Sequence, residues 1–268
     1  MLNQIITQSR LRFDSDARAW IDAVETADAQ QLEYGLQKVM DELVITLKAQ
    51  SLWSLVSTMT IKMGARTVAG ALVDIKNPNS SWVNNGFVSG DYSRTTGLAG
   101  NGTSKYLNTG RNNNADAQNS FSMFTHVTTL ATTASMYYMG GGLLATSGGS
   151  TIVRNAANAA NLTLTCRSSG GDIDTAANSV ANFMGISRAA SGSYTSRGNG
   201  ANQTNSVASS SPANEPILEY AGSNGGVVSA GTYSDHRSCA AGVGAAMTLA
   251  TMNTVLTTYI ARIAALGL

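Results

Sequence analysis

The chain has 268 residues, a formal net charge of +1 from 17 Lys+Arg and 16 Asp+Glu, and only 12% charged residues against 43% hydrophobic ones. That balance excludes an intrinsically disordered chain and gives no electrostatic reason to expect nucleic acid or an anionic membrane as partner. Two cysteines and two histidines give no repeating metal-ligand or haem motif, so neither a metal nor another cofactor is expected.

The opening MLNQIITQSRLRF has one short apolar pair and lacks the basic start, apolar stretch and small-residue cleavage site of a secretion signal. Synthesis in the cytoplasm is the expectation. Asp14, Ser15 and Asp16 can cap a helix over residues 15–27 that sets Trp20 and Val24 on one side. Leu32, Leu36, Val39, Leu43 and Leu47 then recur at helical spacing, with Glu33, Lys38, Asp41, Glu42 and Lys48 mainly opposite. The run SLWSLVSTMTIKMG is read as a third helix stopped by Gly64. Short amphipathic segments must bury their faces somewhere, which makes residues 1–64 a helical region that packs on its own β domain or serves docking or oligomerisation.

From Ala65 to Leu268 a β domain ending in a helix is expected. Runs of about 4 to 8 residues rich in Val, Thr, Tyr, Phe and Met alternate with Gly and Asn corners, which favours antiparallel sheets. In SFSMFTHV, Phe121, Met123, Thr125 and Val127 share one face, while Phe124 and His126 share the other, so that second face is covered too. Leu162, Leu164 and Cys166 alternate with Thr163, Thr165 and Arg167. GNGANQTNSVASSSPANEP shows neither period and reads as a long exposed loop. Leu249, Met252, Leu256, Tyr259, Ile263 and Leu266 mark a closing helix.

Several stretches imitate chemistry. GLAGNG, residues 97–102, stands between β-like runs with no helix to receive a phosphate, and is read as turn chemistry leading to the strand at Tyr106-Leu107. Asp172 and Asp174 supply two carboxylates where calcium needs six or more oxygens. Asp235-His236-Arg237 with Ser234 or Ser238 is read as a polar strand edge, because adjacent strand residues point to opposite faces. No catalytic set emerges. Arg111, Asn112, Asn113 and Asn114 remain as a contact loop that a sugar, another subunit or water can occupy.

FVSGDYSRTTGLAGNGTSKYLNTGRNNNADAQN, with MGARTVAGALVDI ahead of it, the helical head and the closing helix, resembles tailed-phage and prophage virion proteins that carry a concanavalin-like or laminin-G-like jelly-roll domain. The resemblance implies a two-sheet antiparallel jelly-roll sandwich and a non-enzymatic structural role on the virion surface. Capsid decoration or cement and head fibre are the roles it favours. It implies capsid or tail subunits as partners and a homo-oligomer, a trimer among its forms. The alternative is a glycan-recognition module of a tail fibre or tailspike, with a host glycan as ligand. A glycoside hydrolase would need two carboxylates flanking a groove, for which Asp172/Asp174 is only a starting pair.

Overall fold

The computed structural model describes residues 13–155, 161–168, 174–177 and 179–268, with side chains omitted for 174–177. In chain order, α1 (Ser15–Asp28) and α2 (Tyr34–Ala49) lead into β1 (Val56–Ile61) and a single-turn α3 (Val68–Ala71). The strands β2 (Val83–Asn85), β3 (Tyr92–Ser93), β4 (Gly97–Ala99), β5 (Tyr106–Asn112), β6 (Phe121–Thr129), β7 (Tyr137–Gly141) and β8 (Ser150–Arg154) follow. Then come β9 (Asn161–Cys166), β10 (Asp174–Ala177), β11 (Phe183–Arg188), β12 (Tyr194–Gly198), β13 (Ala201–Asn205) and β14 (Pro216–Glu219). The hairpin β15 (Ser223–Asn224) and β16 (Val227–Val228), the long strand β17 (Arg237–Gly244) and α4 (Leu249–Ala264) complete the order.

Two antiparallel sheets make a jelly-roll-like sandwich, as the sequence leads one to expect. One has eight strands in the order β13-β12-β11-β6-β17-β4-β3, with β1 also on β17; the other has seven, β10-β9-β8-β7-β14-β5-β2. β17 is the hub of the first sheet. Along one side it pairs with β6, and on its other side first with β4 at Arg237-Ser238 and then with β1 from Ala240 to Gly244.

The architecture has three layers. Leu107, Phe121, Met123, Ile152, Leu164, Met184, Ile217 and Val243 fill the space between the sheets. On the other face of the eight-stranded sheet, Phe124, Phe183, Cys239 and Ala240 pack against Trp20, Leu36, Leu43, Met252 and Leu256 from α1, α2 and α4. A sheet covered on both faces explains why β6, β11 and β17 are buried at nearly every residue rather than at alternate ones.

The helix bounds follow local chemistry. Asp14 caps α1 by accepting from the Asp16 amide at 3.0 Å, and Leu36, Val39, Leu43 and Leu47 of α2 are buried. The expected third helix is a correction. Residues 56–61 form β1, because Val56, Thr58, Thr60 and Ile61 are β-branched and β17 offers a free edge to pair with. Within MGARTVAGALVDI, residues Val68–Ala71 form the turn of α3, capped by Thr67, whose side chain accepts from the Gly70 amide. The long loop expected after Gly198 begins later, since residues 201–205 pair with β12 as an edge strand. Among the described residues no helix is long and apolar enough to cross a membrane.

Candidate functional site

A cleft of about 430 Å³ opens where β11, β12 and β13 meet the start of α4. Ser187, Ser193, Thr195, Asn202 and Thr248 line it with hydroxyls and an amide, while Leu55, Met247 and Leu249 form an apolar wall. None of its lining residues is charged. Thr195 and Asn202 face the cleft because β12 and β13 alternate: Tyr194 enters the core between the sheets, so Thr195 points the other way, opposite Thr204 in the pairing. Ser187 Oγ accepts from the Met247 amide at 3.0 Å and fixes the approach to α4, whose cap residue Thr248 makes no side-chain capping bond.

One buried guanidinium organises the rim. Arg188, fully buried, donates from Nε to the Cys166 carbonyl at 2.7 Å. Its Nη1 donates to the carbonyls of Ala190, Ser191, Ser193 and Val207 at 3.0–3.4 Å. The guanidinium also lies over the Tyr194 ring, 5.2 Å from its centroid. Here an arginine acts as the hydrogen-bond hub of a loop, its charge matched by carbonyl dipoles.

A second groove of about 420 Å³ lies between α2 and α4, lined by Thr46, Gln50, Thr251, Thr254, Thr258 and Tyr259. Much of its hydrogen-bonding capacity is spent internally. Thr254 and Thr258 donate to the carbonyls of Ala250 and Thr254, and Thr46 is bonded to the Tyr259 hydroxyl at 2.6 Å. In the cleft at β12, Ser187 Oγ and Asn202 Oδ1 are spent in the same way, the latter on Arg197 Nη1 at 2.6 Å, which leaves Ser193, Thr195 and Thr248 as the hydroxyls offered to a ligand beside the apolar wall.

The residues singled out from sequence do not gather at either place. Arg111 chelates the Asp116 carboxylate, with Nε 3.1 Å from Oδ2. Asn112 is exposed and donates to Asn214 Oδ1 at 2.7 Å, and Asn114 is exposed. Asn113 is fully buried: its side chain donates to the Gly148 carbonyl at 2.8 Å and its own carbonyl accepts from Arg167. Arg167, also buried, lies 4.1 Å from the Phe121 ring centroid, and burial pulls its basicity down to about 10. GLAGNG is a turn. Asn101 Oδ1 accepts from the amides of Thr103, Ser104 and Lys105, so those donors are not presented to a phosphate. Leu107 enters the core and Tyr106 the opposite face, 6.2 Å from the Tyr233 ring.

Ser234 Oγ does lie 2.9 Å from His236 Nδ1, but both are fully buried. The imidazole is stacked on Tyr220 at 4.2 Å and tilted against Tyr138 at 4.8 Å. Burial first, and the Lys62 charge second, hold His236 well below its usual basicity. Asp235 turns away to bond Thr132, leaving the imidazole without an orienting carboxylate. His126 and Cys239 form another close pair, 3.4 Å from Nδ1 to Sγ, with Thr257 of α4 at 3.3 Å from Nε2. Burial pulls His126 down to about 4 and pushes the thiol up to about 12, the reverse of an activated thiolate–imidazolium pair. Cys166 and Cys239 are both free and lie in different layers. The Asp172/Asp174 pair lies outside the described residues, apart from the backbone of Asp174 in β10. Among the described residues no three His, Cys, Asp or Glu side chains are grouped to hold a metal ion.

No family model matches the sequence, and no curated protein does. Among solved structures, domain 4 of AbnA, a GH43 extracellular arabinanase from Geobacillus stearothermophilus in complex with arabinotriose, is 13% identical, with 69% of this chain and 92% of that one covered and a TM-score of 0.43. A mutant of Trypanosoma rangeli sialidase displaying trans-sialidase activity is 10% identical over 84% of this chain, at a TM-score of 0.46, and this chain spans 39% of its length. Similarity at this level assigns neither ligand nor activity.

Proposed function

We propose that the chain is a non-catalytic recognition module that takes a neutral saccharide into the cleft between β12, β13 and α4. The observation that carries this reading is the cleft's lining: hydroxyls and an amide beside an apolar wall, with no charge, in a volume within the usual range for small-molecule sites. A sugar presents alternating hydroxyls and C–H faces, which such a lining matches. Residues 189–193, tied down by Arg188, give the site a preformed rim, so little ordering is lost on binding. The test is chemical-shift titration of the labelled protein with a panel of neutral mono- and oligosaccharides, repeated for Asn202→Ala and Thr195→Val. Saturable shifts centred on residues 187–202 that weaken at least tenfold in both variants are expected. Binding that ignores both variants, or none across the panel, refutes it.

A second reading, virion-surface decoration, cement or fibre, has its own support in the exposed edge of β13. Ala201, Asn202, Gln203 and Thr204 are exposed and carry no charge, and a strand edge without charge or proline is ready to pair with another subunit. In this reading residues 1–64 contribute the outward Tyr34 and Ile45 to a homo-oligomer or to capsid and tail neighbours. Imaging of intact particles tests it: copies at capsid threefold or quasi-threefold positions are expected for decoration. A tail-only position removes decoration, and absence from particles removes the reading.

A further inference from the structure

The sandwich interior holds an ion pair that its surroundings do little to justify. Lys62, just after β1, and Glu219, in β14 of the opposite sheet, are both fully buried, with Nζ 3.0 Å from Oε2. Nζ nevertheless stands off the direction a hydrogen bond to Oε2 requires, and that oxygen has no hydrogen-bond partner among the described residues. Around the pair only neutral groups take part. Thr60 Oγ1 is 3.3 Å from Nζ, the Trp82 ring centroid is 5.4 Å away, and Thr125 Oγ1 donates to Glu219 Oε1 at 3.2 Å. His236 belongs to the same interior, stacked on Tyr220 next to Glu219, and its Nε2 is likewise without a partner among the described residues.

We propose that Lys62 and Glu219 condense into an intramolecular isopeptide bond that staples the two sheets together. The condensation starts with one proton passing from the ammonium to the carboxylate across the 3.0 Å contact, so that the amine and the carboxylic acid are the reacting forms. The amine lone pair forms the Nζ–Cδ bond. The Cδ–O bond to one carboxyl oxygen then breaks, and that oxygen departs as water with the proton released by nitrogen. No electrons are transferred and no co-reactant is consumed. Thr125 donates to Oε1, where negative charge gathers in the tetrahedral adduct, and the proton leaving nitrogen passes to the departing oxygen, which stands 3.0 Å from Nζ before reaction. Holding the amine 3.0 Å from the carboxyl group inside a rigid core replaces the high concentration the same condensation needs in solution. The product carries no charge, so the core sheds the cost of two buried ions.

Mass spectrometry of the full chain under denaturing conditions tests this without relying on any variant. The expected mass is lower than the sequence mass by one water, and digestion should release a branched peptide joining the Lys62 segment to the Glu219 segment. Lys62→Arg, which keeps the charge without the nucleophilic amine, and Glu219→Ala are expected at their own sequence masses. The full sequence mass in both fresh and aged wild-type protein overturns the proposal. So does a lost water that maps to any other pair of residues.

Discussion

Gly97 offers a direct test of whether GLAGNG is a structural corner. Its φ is +92°, and a Cβ there would stand 2.1 Å from the Ser238 carbonyl oxygen and 2.8 Å from Cys239 Cα, so β4 and β17 would have to part. Gly97→Ala therefore combines backbone strain of about 1 kcal/mol with overpacking of about 1–3 kcal/mol, a loss of about 2–4 kcal/mol in all. Three neighbouring glycines separate the two contributions. Gly86 has the same φ of +92° but only Lys105 Cγ at 3.5 Å, so Gly86→Ala should cost the strain alone. A Cβ on Gly100 would stand 2.0 Å from the Ser234 oxygen without a positive φ, so Gly100→Ala should cost the clash alone. Gly90 has open space and ordinary φ, and Gly90→Ala should be neutral or slightly stabilising through the unfolded chain. Urea unfolding of the four variants provides the comparison, with thermal midpoints falling by about 2–4 °C for each kcal/mol lost. A Gly97→Ala protein as stable as Gly86→Ala would refute the close packing of β4 on β17.

His126 makes acid destabilising. The folded protein holds its pKa at about 4 by burial, whereas the unfolded chain titrates near the ordinary histidine value of about 6.5, so between those values the unfolded state binds more protons. Stability from this group is complete above about pH 6.5 and falls by up to about 3 kcal/mol as pH drops to about 4; urea midpoints should show the slope, and His126→Gln should flatten it. Removing Arg188 as Arg188→Met withdraws a donor from five carbonyls, of which that of Ser191 keeps the Ser209 amide at 2.7 Å, so up to four are left unsatisfied, at about 1–3 kcal/mol for each that water cannot reach. Faster amide exchange should appear at residues 189–193 and spare α2; unchanged exchange there would remove Arg188 as the rim's hub.

What the sequence discloses depends on how many faces an element buries. α2 covers the sheet with one stripe, so its heptad-like leucines are legible, and β9 shows clean alternation through Leu162, Leu164 and Cys166. β1 defeats the same method. Both its faces are covered, and Leu52, Leu55, Val56, Met59 and Met63 satisfy a helical template although Met59 and Ile61 line the layer below the helices from a strand. β13 fails for the opposite reason: at the sheet edge four of its five residues, Ala201 to Thr204, are exposed, and an uncharged polar strand then looks like loop.

Polar side chains are harder still, because their type does not say whether water or backbone satisfies them. In the run from Arg111 to Asn114, Asn113 is buried to hold the Gly148 carbonyl while its neighbours Asn112 and Asn114 are exposed. Arg167 and Arg188 are buried among carbonyls. The weak signal available for Arg188 is its place at the end of the otherwise apolar Phe183–Arg188 strand. The cleft itself has no contiguous signature, being assembled from Leu55, residues 187–202 and residues 246–249. Those segments meet only because α4 crosses the outer face of the eight-stranded sheet, so the layer that hides one sheet face also creates the recess at its margin. In this molecule the helices do more than close a core: where the start of α4 meets β12 and β13, it leaves a recess lined by uncharged polar side chains.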